Sequence, residues 1–401
     1  MKRLSYLILS AILATTFFTT QSCNKDDDKT EKKEVEVIPL ENDEEKSPAQ
    51  DEGPSDQFSE ITAANEVTHS DLDFAYGADP GWITAMEKQS KKFYNTDGNE
   101  ADCFEILSGI GINAARFRVW VNPSNETGIW GLCNAEDVIK KAIRAQNAGM
   151  KIMIDFHYSD TWADPSNQKK PAAWDNAATV SDLADSAAAF TKFVLENLKA
   201  KNVDVNWVQI GNETRTGMMT TSSTGDSTTV NGNMGENYKT IHNKCAAAAR
   251  AIFPNTKIVI HFQDGQKSLY SSFTSIVKDL DMDILGFSLY PEYTNNGSYW
   301  VADVNGISES QYSKCAKVMN SFANSYKKET MICEIGTTNI EKETAGATLK
   351  TAFDYIKTNV SSCKGIFYWE PECYNSFNNY GMGGFTTSGK PADALVTTYK
   401  H

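Results

Sequence analysis

Two glutamates, Glu213 and Glu334, come at the ends of short apolar runs that have the composition of buried β-strands. Two carboxyl groups about 5–5.5 Å apart can cleave a glycosidic bond with retention, one as nucleophile and the other as acid/base. Asn212 could hydrogen-bond a sugar 2-hydroxyl, and Arg116 or Arg118 could keep Glu334 ionised. The residue types therefore point to retaining glycoside hydrolysis.

Eight β-branched and aromatic runs, alternating with amphipathic helical stretches, have to position these side chains. They lie at residues 74–78, 114–121, 151–158, 205–213, 257–262, 284–291, 331–336 and 365–371. Asn134 and Ser181 are predicted N-caps, and Gly111 and Gly149 are predicted to end helices. Eight parallel strands with helical crossovers predict one α/β domain, a (β/α)8 TIM barrel over residues 58–401, with both glutamates at its C-terminal mouth.

Several segments carry a resemblance to a known family. VQIGNE in the fourth strand and ICEIG in the seventh resemble the clan of retaining glycosidases with both glutamates on strands four and seven. Further segments resemble the glycoside hydrolase family 53 endo-β-1,4-galactanases, in the same order over residues 74–394: GADPGW, GINAARFRVWVNP, GMKIMIDFHYSDTWADPSNQKKPAAW, WVQIGNE, GFSLYP and FYWEP. The resemblance implies an endo-acting retaining enzyme that cleaves β-1,4-galactosidic bonds in the galactan side chains of pectin (type I arabinogalactan).

Carried over residue by residue, the resemblance implies that Glu213 is the acid/base and Glu334 the nucleophile. It implies that seven residues surround the subsite where the bond breaks, with the last as the sugar platform: Arg116, Asp155, His157, Asn212, His261, Tyr290 and Trp369. Four tryptophans could extend the groove by stacking on sugar rings: Trp82, Trp120, Trp162 and Trp174. His157 and His261 could equally be hydrogen-bonded residues of the site wall that do not contact the sugar. Asp155 could serve only to orient its neighbours.

Other residues have structural interpretations. Trp207 and Phe367 are predicted to be barrel core, while Glu370 and Glu372 could be loop-face charges without a role. Pro80-Gly81-Trp82 follows the first strand where the family usually has a serine, which leaves the contacts at that edge open. Some family members bind calcium through Asp-rich loops, but residues 337–350 have no alternating Asp/Asn cluster, so neither a metal nor a cofactor is predicted.

The N-terminus predicts export and a membrane anchor. Lys2 and Arg3 precede an apolar stretch at residues 4–18, and residues 1–22 resemble a lipoprotein signal peptide that ends before Cys23. Lipidation of Cys23 would tether the protein to the outer membrane, with the cell surface as the expected side. An ordinary signal peptide with an incidental cysteine is the alternative. Residues 23–57 contain 13 acidic and five basic residues and predict a disordered linker.

Charge and cysteine content restrict the partners. The net charge of −14 argues against nucleic acid as a ligand and is compatible with a neutral glycan, and the protein is expected to be a monomer. Seven cysteines follow Cys23, an odd number without a CxxC motif: Cys103, Cys133, Cys245, Cys315, Cys333, Cys363 and Cys373. They are predicted to be mostly small buried hydrophobes, with one or two disulfides that the sequence does not assign.

Two other functions stay open at this point. A related barrel enzyme could act on xylan, mannan or β-glucan, although the DFHYSDTWADP segment argues against it. A non-catalytic glycan-binding lipoprotein would be expected to have lost one of the two carboxylates, and both are present.

Overall fold

The computed structural model describes residues 58–67, 69–291, 301–302, 308–374 and 377–401. All of them belong to one compact unit, Glu52–His401. The predicted signal peptide, Cys23 and the acidic linker lie outside the described residues.

Eight parallel strands form a closed barrel, as the sequence predicts. In chain order they are β1 (Ala75–Asp79), β2 (Ala114–Val119), β3 (Lys151–Phe156), β4 (Val205–Ile210), β5 (Lys257–Phe262), β6 (Ile284–Leu289), β7 (Glu329–Ile335) and β8 (Cys363–Trp369). Each strand pairs with its neighbours in the chain, and β8 returns to β1 with Ala75 opposite Gly365. The (β/α)8 fold is confirmed.

Six of the eight strands end one to three residues earlier than predicted, and β1 and β5 do not. Sequence periodicity extends the fourth run to residue 213, whereas β4 ends at Ile210. The ladder stops there because Asn212 and Glu213 leave the strand direction, and Glu213 has a left-handed backbone with φ 51°. Asn212, Glu213 and Tyr290 therefore lie in the loops just beyond their strands, whereas Glu334 lies within β7 near its C-terminal end. This end of the barrel is where barrel enzymes carry their sites.

Helices fill the connections and cover the barrel. They are α1 (Ile83–Lys88), α2 (Cys103–Gly109), α3 (Ala135–Asn147), α4 (Val180–Ala200), α5 (Glu236–Ile252), α6 (Ser271–Thr274), α7 (Gln311–Tyr326), α8 (Glu343–Asn359) and α9 (Asp393–Tyr399). Two short antiparallel ribbons join them, Gly217–Met218 with Gly232–Asn233 and Val301–Ala302 with Ser308–Glu309. None of the helices in the described ranges is long and apolar enough to cross a membrane.

Helix ends follow the predicted signals with one exception. Asn134 caps α3 by accepting the backbone N–H of Asp137. The cap of α4 is Thr179 and not Ser181, because Thr179 and Asp182 each accept the other's backbone N–H in a capping box. Gly149 follows α3 with φ 88°, a left-handed conformation that glycine adopts without a steric penalty.

The interior of the barrel below the mouth is apolar. Trp207 and Phe367 meet there edge to face with ring centroids 6.3 Å apart, which confirms both as core. Phe367 occupies the space that a side chain at Gly77 would need, since an added Cβ would lie 2.2 Å from its ring. The seven cysteines after Cys23 are all buried and free, so the predicted disulfides are wrong for the described part of the chain.

Candidate active site

Glu334 lies near the end of β7 and is held by two donors. Its Oε1 accepts a hydrogen bond from Arg116 Nη1 at 3.2 Å, and its Oε2 accepts one from the Tyr290 hydroxyl at 2.7 Å. The register between β6 and β7 shifts between Ile332 and Glu334, which brings Glu334 opposite Ser288. Such irregularities re-aim side chains at barrel rims. Only 6% of Glu334 is exposed.

All three nitrogens of the Arg116 guanidinium have buried partners in hydrogen bonds or ion pairs. The partners are Gln209 Oε1 (2.9 Å), Asn212 Oδ1 (2.8 Å), Asp155 Oδ2 (2.9 Å), Glu334 Oε1 (3.2 Å) and a carboxylate oxygen of Asp79. Of the two arginines suggested by the sequence, Arg116 is therefore the one that contacts Glu334. Burial raises the pKa of Asp79 to about 7.

Glu213 lies just beyond β4 on a turn that needs a left-handed backbone. Gly211 has φ 80°, and a Cβ there would lie 2.5 Å from Thr214 Cγ2. Glu213 itself has φ 51°, a conformation that costs a non-glycine residue on the order of 1–3 kcal/mol. The bond from Thr214 N–H to the His261 carbonyl (2.8 Å) holds the turn. Glu213 is half-buried, and its Oε1 lies 2.7 Å from Ser288 Oγ.

The two glutamates have different electrostatic surroundings. Burial raises the pKa of Glu213 well above its usual value, and the negative charge of Glu334 raises it further. Burial also raises the pKa of Glu334, but Arg116 and the Tyr290 hydroxyl oppose this shift by stabilising its anion. The arrangement favours a protonated Glu213 beside an ionised Glu334, which is how environments separate an acid from a nucleophile.

The histidines and Asp155 form the wall behind these groups. His157 Nδ1 accepts the Trp120 indole N–H and the Ala163 backbone N–H, both at 3.1 Å, so its Nε2 donates to Asp155 at 3.1 Å. His261 bridges Asn212 Oδ1 (2.8 Å) and Ser288 Oγ (2.9 Å). These bonds join strands β2 to β6 into one polar layer.

The chain matches the family model described as glycosyl hydrolase family 53 over residues 75–394. That range covers most of the chain and both glutamates. The chain belongs to glycosyl hydrolase family 53.

Relatives in this family share about three tenths of the aligned residues. An endo-β-1,4-galactanase of Bacillus subtilis is 28% identical over 76% of this chain and 72% of its own length. An arabinogalactan endo-β-1,4-galactanase of Thermothelomyces thermophilus is 29% identical over 75% of this chain and 90% of its own.

Solved structures show the same fold. A fungal β-1,4-galactanase structure aligns with a TM-score of 0.67 at 23% identity, over 82% of this chain and 99% of that one. The family 53 catalytic domain of Ignisphaera aggregans aligns with a TM-score of 0.65 at 22% identity, over 84% and 99% of the two chains.

Three residues predicted to contact substrate have no free surface in this family 53 chain. Asp155, His261 and Trp120 are each 0% exposed, and all bond or pack against other side chains of the wall. This burial favours the interpretation of Asp155 and His261 as wall residues that orient the groups in front of them. Direct sugar contact by the three residues stays a prediction. The sequence does not distinguish a covered ring at Trp120 from one that can stack on a sugar, because it shows the aromatic residue but not what packs on it.

Trp82, Trp162 and Trp369 form an aromatic wall on the β8–β1 side. Trp369 and Trp162 are half-buried, with ring centroids 5.9 Å apart. Trp82 is buried between them and further rings, 5.7 Å from Trp162 and 5.9 Å from Trp369. Trp174 packs on Tyr158 in the loop after β3. Trp369 and Trp162 thus have surface to offer a ligand.

A charged network behind the wall was missed by sequence reasoning. Glu370 and Glu372 are both 0% exposed, which overturns their interpretation as loop-face charges. Each accepts the backbone N–H of Trp82 at 2.9 Å, and Glu370 also pairs with Arg118. The Arg118 guanidinium lies 4.5 Å from the Trp162 ring centroid. Gly81 is needed here because a Cβ would overlap this guanidinium.

A signal for this network was present in β2. Arg116 and Arg118 are two residues apart, so they lie on the same face of a fully buried strand. Two buried guanidinium groups require more than one acidic partner. Arg118 could have pointed to buried acids elsewhere in the chain.

Glu370, Glu372 and Cys373 place ligand-type atoms within 4.8 Å of one another. The two carboxylates are already bonded to Arg118 and to the Trp82 backbone, and calcium prefers six to eight oxygen ligands. This group does not fit calcium, and the expected independence from metal stays a prediction.

Proposed function

We propose that this protein is an endo-acting retaining glycoside hydrolase that cleaves β-1,4-galactosidic bonds in galactan. The observation that carries the proposal is the pair Glu213 and Glu334 at the mouth of a family 53 barrel. Glu213 is bonded to the neutral Ser288 hydroxyl, and Glu334 to the positively charged Arg116. The galactanase names of its relatives support galactan, the type I arabinogalactan side chain of pectin, as the substrate.

In this mechanism Glu334 attacks the anomeric carbon while Glu213 protonates the leaving oxygen. A covalent glycosyl-enzyme forms, and Glu213, now a carboxylate, takes a proton from the water that releases the sugar. Arg116 and Tyr290 keep Glu334 ionised and aimed before the attack. Both inversions occur at the same carbon, so the product retains the β configuration.

Four further residues are proposed to bind the sugar at the cleavage site. Trp369 offers an aromatic face to the apolar C–H face of galactose, and Trp162 extends this surface. Asn212 has one amide hydrogen left after its Nδ2 donates to the Ala163 carbonyl at 2.8 Å, and this hydrogen can meet the 2-hydroxyl. His157 is the fourth of these residues and lies in the polar wall behind the two glutamates.

The substrate is tested by measuring reducing-sugar release from β-1,4-galactan, xylan, mannan, β-glucan and arabinan with equal enzyme. Release from galactan in excess of the other polymers is the expected result. Release from another polymer alone would mean that this polymer, and not galactan, is the substrate. Binding of galactan without any release would instead support a non-catalytic glycan-binding protein.

The stereochemistry is tested by proton NMR of the first product anomer. A β anomer that mutarotates to the equilibrium mixture is expected. An initial α anomer would mean inversion and would remove the nucleophilic role of Glu334.

We also propose that the protein is a monomer, needs no cofactor, binds no nucleic acid and is lipid-anchored to the outer membrane through Cys23. The support for the anchor is the order of three features: the basic residues Lys2 and Arg3, the apolar stretch at residues 4–18, and Cys23. Cys23→Ala should move the protein from the membrane to the soluble fraction. Protease treatment of whole cells should degrade the wild type if it faces outwards and spare it if it faces the periplasm.

A further inference from the structure

The Ser288 hydroxyl lies between a carboxyl group and a histidine. Its Oγ is 2.7 Å from Glu213 Oε1 and 2.9 Å from His261 Nε2. A hydroxyl has one hydrogen and can donate it to only one of these two neighbours. The direction of this hydrogen bond therefore depends on which neighbour lacks a hydrogen.

The orientation of Asn212 fixes one side of the chain of hydrogen bonds. Its Oδ1 accepts from Arg116 Nη2 at 2.8 Å, and its Nδ2 donates to the Ala163 carbonyl at 2.8 Å. A flipped amide would place the NH2 group against the guanidinium and an oxygen against the carbonyl. Since Oδ1 also lies 2.8 Å from His261 Nδ1, this nitrogen has to carry the hydrogen.

Other N–H groups near His261 Nδ1 do not change this assignment. They lie farther away, at 3.3, 3.4 and 3.5 Å, and come from Gln209, the Glu213 backbone and Arg116. The Gln209 amide already donates to Asp155 at 2.6 Å and to the Gly211 carbonyl at 3.0 Å. Arg116 Nη2 lies nearer to Asn212 Oδ1, at 2.8 Å, and to Asp155 Oδ2, at 2.9 Å. The Glu213 backbone N–H, at 3.4 Å, makes a much longer contact with Nδ1 than the 2.8 Å that separates Nδ1 from Asn212 Oδ1.

A neutral imidazole with its hydrogen on Nδ1 has a lone pair on Nε2. Burial and the positive charge of Arg116 on β2 keep the pKa of His261 well below its usual value. Asp155 on β3 opposes this shift, and His157, the first residue after that strand, adds to it. His261 Nε2 is therefore an acceptor, and the Ser288 hydroxyl is the donor that it faces.

We propose that Ser288 is a positioning residue that donates its hydrogen to His261 in the free enzyme, accepts the carboxyl hydrogen of Glu213, and so favours the acid form of Glu213. The proposal rests on the proposed function, because it concerns the residue assigned there as the acid. When Glu213 is ionised, the hydroxyl has to turn to Glu213 Oε1, and His261 Nε2 loses its donor. Leaving that buried nitrogen unpaired costs free energy, which disfavours ionisation.

Other charges act on Glu213 independently of Ser288. Glu334 on β7 and Asp164 in the loop after β3 raise its pKa, and Arg116 on β2 lowers it. A Ser288 hydroxyl that donated to the Glu213 carboxylate would also lower this pKa, which is the opposite of the proposed direction. The contributions of the three charged residues remain in a variant that lacks only the hydroxyl. A change in the basic limb of the pH profile can therefore be assigned to the serine.

The test is the pH dependence of kcat/KM for Ser288→Ala, because this parameter reports the free enzyme. The proposal expects the basic limb to move to lower pH by about half to one unit, because a hydrogen bond that favours the neutral carboxyl is lost. A serine that donates to the ionised carboxylate would give a shift to higher pH. Either that shift or an unchanged limb would overturn the proposal.

Two control variants separate the hydroxyl from a general effect on folding. Ser288→Thr retains the hydroxyl and should return the basic limb towards the wild-type position. Thr330→Val removes another buried hydroxyl, which lies 3.0 Å from Ser362 Oγ at the opposite end of β7, and should leave the limb unchanged.

A second measurement does not depend on activity. ¹⁵N NMR of histidine-labelled enzyme should show His261 protonated on Nδ1 and unprotonated on Nε2, with the Nε2 signal changed in Ser288→Ala. A hydrogen on Nε2 in the wild type would contradict the proposal. Absence of galactan cleavage would count against the proposed function, but it would leave this tautomer measurement interpretable.

Discussion

Two pairs of carboxyl groups lie at the mouth of the barrel, and they have the same electrostatic plan. In the open pair, Glu213 and Glu334, and in the sealed pair, Glu370 and Glu372, one member bonds to a buried arginine of β2. The other member has a pKa well above its usual value because of burial and the charge of its neighbour. Each pair therefore combines an ionised carboxylate with a neutral carboxylic acid, and the two pairs lie on adjacent sides of one barrel.

The pairs differ in access and in their hydrogen-bond partners. Glu213 is half-buried, whereas both members of the sealed pair are 0% exposed. The sealed pair shares the Trp82 backbone N–H and supports the aromatic wall. Separation of protonation states is therefore not sufficient for chemistry, since the neutral member must also be able to reach a ligand.

Replacement of the nucleophile should have the largest effect. Glu334→Ala is expected to reduce turnover of galactan by a factor on the order of 10⁴ or more, because no covalent intermediate can form. Initial rates and circular dichroism measure activity and folding. Azide should restore some turnover through an α-glycosyl azide. Rescue with a β-glycosyl azide would instead identify Glu334 as the acid/base and reverse the assignment within the open pair.

Replacement of the acid should depend on the leaving group. Glu213→Ala is expected to lose about 10²- to 10⁴-fold on galactan, which needs a proton on the departing oxygen. Aryl galactosides with acidic phenols need little protonation, so they should lose less in the first step. Steady-state rates on both substrate classes provide the comparison. An equal loss on both would mean that Glu213 does not act as the acid.

Much of the fold and the central site could be predicted from the sequence. Strands that are buried on both faces read as continuous apolar runs, and all eight were found this way. Glu334 and Glu213 could be placed because each follows or ends such a run. The end of β4 was less predictable, since the left-handed turn at Glu213 depends on a bond from Thr214 to a carbonyl of β5.

The sealed pair could not be predicted because its partners are far apart in the sequence. Glu370 and Arg118 are separated by 252 positions and meet only when β8 closes on β1. In sequence, two acidic residues in a loop resemble a solvated surface. The same limit applies to Trp120, whose coverage by the loop after β3 is a property of tertiary packing.

Arg116 tests whether the planar guanidinium, and not only its charge, distinguishes the members of the open pair. Arg116→Lys keeps the charge but has three donors for five acceptors, so we expect a loss of about ten- to hundredfold in kcat. The pKa of Glu334 should rise as its partner weakens, so the acidic limb of the pH profile should move to higher pH. Breaking buried contacts should also reduce the free energy of unfolding by about 3–5 kcal/mol.

The matched control is Arg144→Lys, which alters a partly exposed arginine bonded to Glu87 and Asp102. Such pairs contribute about 0–1 kcal/mol, and this one lies away from the mouth. Urea unfolding and pH profiles of both variants should therefore differ clearly. Equal behaviour would mean that Arg116 contributes only charge.

The smallest effect is expected for Glu372, the neutral member of the sealed pair. Burial and the charge of Glu370 raise the folded-state pKa of Glu372, so the folded protein retains a proton that the unfolded chain releases above about pH 4.3. Wild-type stability should therefore fall as the pH rises from there towards the folded-state pKa. Glu372→Gln resembles the protonated side chain, so it should be nearly neutral at pH 5 and more stable than the wild type at pH 8.

Glu370→Gln provides the contrast, because it removes the partner of buried Arg118 and should cost about 3–5 kcal/mol at both pH values. Urea unfolding of both variants at pH 5 and 8 measures the difference. If Glu372→Gln were as destabilising as Glu370→Gln at both pH values, Glu372 would be ionised in the folded protein. The sealed pair would then consist of two charges, and its likeness to the open pair would be lost.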